Sequence, residues 1–64
     1  MPIVRIELKQ GRSQEVLRRL IDGVTQVMSE TLDMATETVQ VLIYEVPPSL
    51  WGRGGSPKDL HQSL

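Results

Sequence analysis

The sequence predicts an α/β fold of minimal size: a β-α-β subunit with parallel strands and a C-terminal turn or hairpin, associating with copies of itself. Three observations carry that reading. Residues 2–9 alternate in polarity, residues 14–32 repeat their apolar side chains with helical period, and residues 38–46 form a second strand-like run that is apolar on both faces.

From Pro2 to Lys9, Val4, Ile6 and Leu8 fall on one side and Arg5, Glu7 and Lys9 on the other, the period-2 pattern of a strand with one covered face. Gly11 interrupts it. Ser13 then stands where a helix N-cap accepts a bond from a free backbone amide, and Glu15 brings negative charge to the positive end of the helix. The reciprocal capping-box partner is missing, because the third residue after Ser13 is Val16. Between Gln14 and Leu32, Leu17, Leu20, Ile21, Val24, Val27 and Met28 recur at helical spacing, while Arg18, Arg19, Asp22, Gln26 and Glu30 fall mostly elsewhere on the wheel. A helix over this stretch is roughly 28 Å long. Gly23 inside it weakens it by about 1 kcal/mol relative to alanine and marks a candidate close contact.

A short polar connection, Asp33 to Glu37, leads to the second strand, expected from Thr38 to Val46. Val39, Val41 and Ile43 form a row suited to cover by the helix. Gln40, Leu42, Tyr44 and Val46 make the opposite face largely apolar as well. A strand of that kind is normally buried on both sides, and one helix cannot cover both faces of a two-stranded sheet. Copies of the subunit must supply the second cover. Strand, crossover helix and strand imply a parallel pair joined by a right-handed crossover. Pro47-Pro48 stops the second strand, since neither residue donates to a ladder. Gly52, Gly54 and Gly55 then predict a tight turn, and Ser56 to Leu64 reads as a polar, mobile end. Residues 1–64 make a single domain without internal repeats.

Composition supports self-association. A chain of 64 residues holds only a thin core, and domains this small usually need disulfides, a metal or oligomerisation. The absence of cysteine excludes disulfides and thiolate metal sites, and His61 has no second histidine to form a ligand pair. No metal and no cofactor are therefore expected. With a net charge of −1 and mixed signs along the chain, no basic stripe points to nucleic acid. No apolar run approaches the ~20 residues of a membrane span. There is no signal-peptide pattern, so a cytoplasmic protein is the default expectation.

Most enzyme motifs are missing: there is no nucleophile elbow, P-loop or dinucleotide fingerprint. Glu7, Glu15, Asp22 and Glu30 read as solvated charges. Four features remain, namely Met1-Pro2, Gly11-Arg12-Ser13, Gln40, and Trp51-Gly52-Arg53-Gly54-Gly55. Three of them have a plain structural reading. A proline opens a strand, an arginine precedes a helix cap, a tryptophan packs in a core or interface, and a loop arginine is solvated.

These features, with the Leu32-Asp33 helix end, the Thr38-Val39 strand entry and Glu45, lie in register with a known pattern. The chain resembles the 4-oxalocrotonate tautomerase family along its length, without gaps through Gly55. The resemblance implies a homohexamer, a trimer of β-α-β dimers, with active sites where neighbouring subunits meet. It implies that removal of Met1 frees the secondary amine of Pro2 as the general base. That amine moves a proton within a 2-hydroxy-dienoate or related enol acid to give the 2-oxo isomer. An α-amino group titrates near pH ~8 in free peptides, and apolar surroundings or nearby cations lower it by disfavouring the charged form. Arg12 matches the arginine that binds a substrate carboxylate, a task suited to two parallel charge-assisted bonds. Trp51 matches an aromatic that walls the site.

Gln40 departs from the family, whose founding members carry an arginine there. Glutamine donates a hydrogen bond but neutralises no charge, which weakens the expectation of a dicarboxylate substrate. Arg53 stands where the founding members have an apolar residue. In the superfamily's dehalogenases a water-activating carboxylate occupies this position, so an arginine lowers the alternative of a dehalogenase or hydratase acting on unsaturated acids while leaving Arg53 a candidate cation for substrate. A further alternative is a non-catalytic subunit of a mixed hexamer.

Overall fold

The computed structural model of the protein describes residues 1–57. Strand β1 runs Ile3–Lys9, helix α1 Gln14–Leu32 and strand β2 Gln40–Val46, followed by the two-residue strands β3 (Gly52–Arg53) and β4 (Ser56–Pro57). β1 and β2 pair in parallel from Ile3↔Gln40 to Lys9↔Val46, and α1 packs on β2. This is the expected β-α-β unit. His61 lies outside the described residues, as does most of the expected polar end.

The helix boundaries follow from its caps. Ser13 is extended, and its Oγ accepts from the backbone N–H of Val16 at 3.2 Å. At the other end Asp33 takes the left-handed conformation (φ 54°), so that its N–H and that of Met34 both reach the carbonyl of Ser29. The Ser29 hydroxyl donates in turn to the Met34 carbonyl. These bonds satisfy groups that a helix end would otherwise leave open. Replacing Ser13 by Ala is expected to cost about 1 kcal/mol. Thermal unfolding of both proteins at one fixed chain concentration checks this, and equal midpoints would show the cap to be idle.

Three expectations need correction. β2 begins at Gln40 rather than Thr38, because Thr36–Thr38 form one turn of 3-10 helix. The Thr38 hydroxyl donates to the Ala35 carbonyl at 2.7 Å, and the N–H groups of Thr38 and Val39 bond back to Ala35 and Thr36. Local side-chain bonding here overrides the strand preference of β-branched residues. Pro2 precedes β1 instead of opening it. Ser56 and Pro57 are not part of a loose end but form β4, antiparallel to β3. The connecting residues Gly54 and Gly55 both have positive φ (61° and 87°), which a two-residue hairpin loop of the primed kind requires.

The isolated subunit has almost no interior. Leu17, at 7% exposure, is the one buried hydrophobic residue among those described. Val4, Ile6, Leu8, Val41 and Ile43, on the helix side of the sheet, are only half-buried. On the opposite face Ile3 and Tyr44 are nearly half exposed, at 49% and 46%, with Leu42 beside them. The two-faced character of β2 is thus real, and one chain leaves its outer face open.

Candidate active site

Pro2 lies just before β1, half-buried, and its carbonyl accepts from the backbone N–H of Gln40 at 3.0 Å. Strand pairing therefore fixes the backbone beside the Pro2 nitrogen. The Gln40 side chain turns to the same place, since its Nε2 donates to Met1 Sδ at 3.0 Å. While Met1 is attached, the Pro2 nitrogen is a tertiary amide without basicity. Once Met1 is removed, it is a secondary amine, and the Gln40 side-chain amide loses its Met1 partner.

Arg12 sits in the connection between β1 and α1. Its Nη1 donates to the Lys9 carbonyl at 3.1 Å, which tethers the guanidinium to the last residue of β1 and leaves further N–H groups free. Gly11 just before it has φ 136°, a conformation open to glycine, where the chain leaves the strand. The backbone N–H of Gln10 pairs with the Val46 carbonyl, so Arg12 shares this end of the sheet with the exit of β2.

Trp51 and Arg53 follow from that exit. Pro47 leads into a one-turn 3-10 helix, Pro48–Leu50, and Trp51 ends it with its N–H on the Pro48 carbonyl. Trp51 is half-buried, while Arg53 is exposed on β3. β4 packs against the Pro48–Leu50 turn, and the described chain is drawn out to 43 × 23 × 16 Å.

The parallel pairing sorts these residues into two groups. Pro2 and Gln40 stand at the beginning of the two strands. Arg12 and the segment carrying Trp51 and Arg53 leave from their far end. At 3.3 Å per residue the strand ends are about 20 Å apart. Pro2 and Arg12 of one chain therefore cannot hold the same small molecule. Each chain thus carries two candidate half-sites.

Sequence reading had named all five residues but not the Met1–Gln40 contact or the Arg12 tether to Lys9. The first depends on strand register, which no local pattern reports, and the second on the path of the loop through Gly11. Among the described residues there is no group of three metal-ligating side chains, and no helix is long and apolar enough to cross a membrane.

Comparison with known proteins agrees with this architecture. The family described as Tautomerase enzyme matches residues 2–60. A 2-hydroxymuconate tautomerase of Pseudomonas putida is 42% identical over 57 residues, covering 89% of this chain and 90% of that protein. Among solved structures, TomN, a 4-oxalocrotonate tautomerase homologue in the tomaymycin biosynthetic pathway, superposes with a TM-score of 0.90 at 32% identity, covering 98% of this chain and 97% of that one. A heterohexamer 4-oxalocrotonate tautomerase from Chloroflexus aurantiacus gives a TM-score of 0.84 at 30% identity, covering 92% and 95% of the two chains. On the strength of the matched profile and of identity across nearly the whole of both chains, this chain belongs to the tautomerase family.

Proposed function

We propose that the processed chain is a 4-oxalocrotonate tautomerase-like isomerase, acting on 2-hydroxy-dienoates or related enol acids as a homohexamer. The observation that carries this reading is the position of Pro2 at the head of β1, with its carbonyl held by Gln40. An N-terminal secondary amine there is a base fixed by the sheet itself. It takes the enol O–H proton as the electron pair moves into the new 2-oxo carbonyl and the conjugated system. The resulting ammonium returns the proton to a carbon of that system. A base of this type has a pKa near the working pH, which suits proton transfer in both directions.

The two half-sites support assembly. Arg12, tethered by one N–H, has donors left for a substrate carboxylate, and in a complete site it comes from a different chain than Pro2. Trp51 forms part of the wall and helps exclude water. The direct test is ultraviolet assay of the Met1-free protein on a 2-hydroxy-dienoate, with the product identified as the 2-oxo isomer. Absence of turnover at saturating substrate would sink the reading.

Gln40 and Arg53 govern substrate charge. With a neutral amide at position 40, Arg53 supplies the second cation to the substrate and helps keep the amine neutral. Arg53→Ala is then expected to raise KM for an anionic enol acid and to move the lower limb of the kcat/KM pH profile upward. A lost charge-assisted bond costs roughly 1.5–3 kcal/mol in a dry site. Gln40→Arg is expected to favour a dicarboxylate over a monocarboxylate. If Arg53→Ala leaves both KM and the pH profile unchanged, Arg53 is a solvated loop residue.

The heterohexameric relative favours one second reading, in which this chain is one of two subunit types. Native mass measurement of the assembly isolated from its source cells separates a single chain mass from two.

A further inference from the structure

Between the last residue fixed by the sheet and the first fixed by the helix stand only Gly11 and Arg12. The Gln10 N–H is bonded to the Val46 carbonyl at 2.9 Å, which holds the chain to the sheet up to that point. Ser13 already belongs to the helix end. Its carbonyl accepts from the Leu17 N–H at 3.1 Å and its hydroxyl from the Val16 N–H at 3.2 Å. With planar peptide bonds, each of the two connecting residues has only two soft dihedrals with which to make the turn. One of these, φ of Gly11, takes 136°, a value that L side chains rarely adopt.

Crowding does not explain the glycine, because a Cβ at position 11 would meet no atom of the chain within 4 Å. The backbone angle does. That angle decides where Arg12 leaves the strand, and hence what its guanidinium can reach. It reaches back three residues, where Nη1 donates to the Lys9 carbonyl at 3.1 Å. Pro2 and Gln10 bond across to β2, and alternate residues of β1 share that role, so Lys9 turns its carbonyl to the opposite edge of β1. The guanidinium is therefore held at the edge that β2 does not occupy, with N–H donors left for an anion. An exposed bond of this kind is too weak to order a long side chain alone. The turn at Gly11 must first bring the side chain near.

We propose that Gly11 is a positioning residue for Arg12: its positive-φ turn lays the guanidinium against the Lys9 carbonyl, so that Arg12 meets the substrate carboxylate already oriented. Order supplied before binding lowers what binding must spend on it. The inference rests on the tautomerase reading above and adds to it the source of the arginine's order.

Chemical synthesis from Pro2 onward gives chains that differ at one centre, with no Met1 to remove. Gly11→Ala strains the turn, and KM for an enol monocarboxylate is expected to rise roughly tenfold with kcat held within about twofold. D-alanine at position 11 has positive φ as its ordinary extended region, and KM is expected to stay within about twofold of the wild type. In an Arg12→Ala background, Gly11→Ala is expected to leave kcat/KM unmoved. A general disturbance of fold or assembly would instead cost the same in both backgrounds. Circular dichroism and sedimentation check each chain. Where Gly11→Ala does not fold, a thioamide at the Lys9 carbonyl decides, since sulfur is the weaker acceptor; KM is then expected to rise about threefold with Gly11 untouched.

No turnover of an enol acid by the wild type removes the tautomerase reading, and this inference with it. Wild-type turnover with KM unchanged in Gly11→Ala, or in the thioamide chain where that variant does not fold, leaves the reading standing and overturns the role of Gly11. A D-alanine chain as impaired as Gly11→Ala also overturns it, because position 11 would then need room rather than an angle.

Discussion

Protein that retains Met1 is expected to show no proton transfer above the uncatalysed background, while circular dichroism and sedimentation match those of the processed form. The acylated Pro2 nitrogen has its lone pair in amide resonance and cannot accept a proton at neutral pH. Pro2→Ala with Met1 removed is a milder change. It leaves a primary amine at the same place, and the backbone carbonyl that accepts from Gln40 N–H is kept. The fold should therefore survive, and the rate is expected to fall, by less than in the Met1-retaining protein and by at most the roughly 10²–10⁴-fold contribution of a positioned general base. Intact mass must verify each N-terminus before assay. Equal activity in a verified Met1-retaining sample would remove Pro2 from the mechanism altogether.

Mixing two inactive variants should restore activity. Pro2 and Arg12 stand at opposite ends of a parallel strand pair, so the proposed site takes Pro2 from one chain and Arg12 from another. Met1-retaining chains carry a dead Pro2 end and a good Arg12 end. Arg12→Ala chains carry the reverse. Unfolded together in equal amounts and refolded, they should form mixed assemblies in which about a quarter of sites draw both good halves, with a corresponding share of wild-type turnover. Each variant refolded alone stays at its own low level; for Arg12→Ala this is a loss of ~1.5–3 kcal/mol in transition-state binding. A mixture no more active than the mean of its components would mean that both residues of a site belong to one chain.

Much of the fold was legible because its determinants are local. The alternation of Val4, Ile6 and Leu8, the helical spacing from Leu17 to Met28 and the Ser13 cap act over a few residues, and each element follows from them. The start of β2 was misplaced for the opposite reason. Thr38 and Val39 have strand propensity, but the Thr38 hydroxyl finds the Ala35 carbonyl three residues back and closes a turn instead. The candidate site was legible only as a set of residue types. That Gln40 reaches the N-terminus depends on the Ile3↔Gln40 register, and that Arg12 shares an end of the sheet with the segment carrying Trp51 and Arg53 depends on strand direction. Both are properties of pairing over more than thirty positions along the chain.

The near absence of an interior also bears on time. With Leu17 the one buried hydrophobic residue described, a lone chain gains little by adopting its native shape, and in the proposed assembly most of the gain arrives on meeting other copies. Acquisition of structure is then a reaction of kinetic order above one. Its half-time shortens as chains accumulate, and newly made chains stay open to proteases until their neighbours arrive. In that assembly, activity would rise more steeply than chain concentration at low expression.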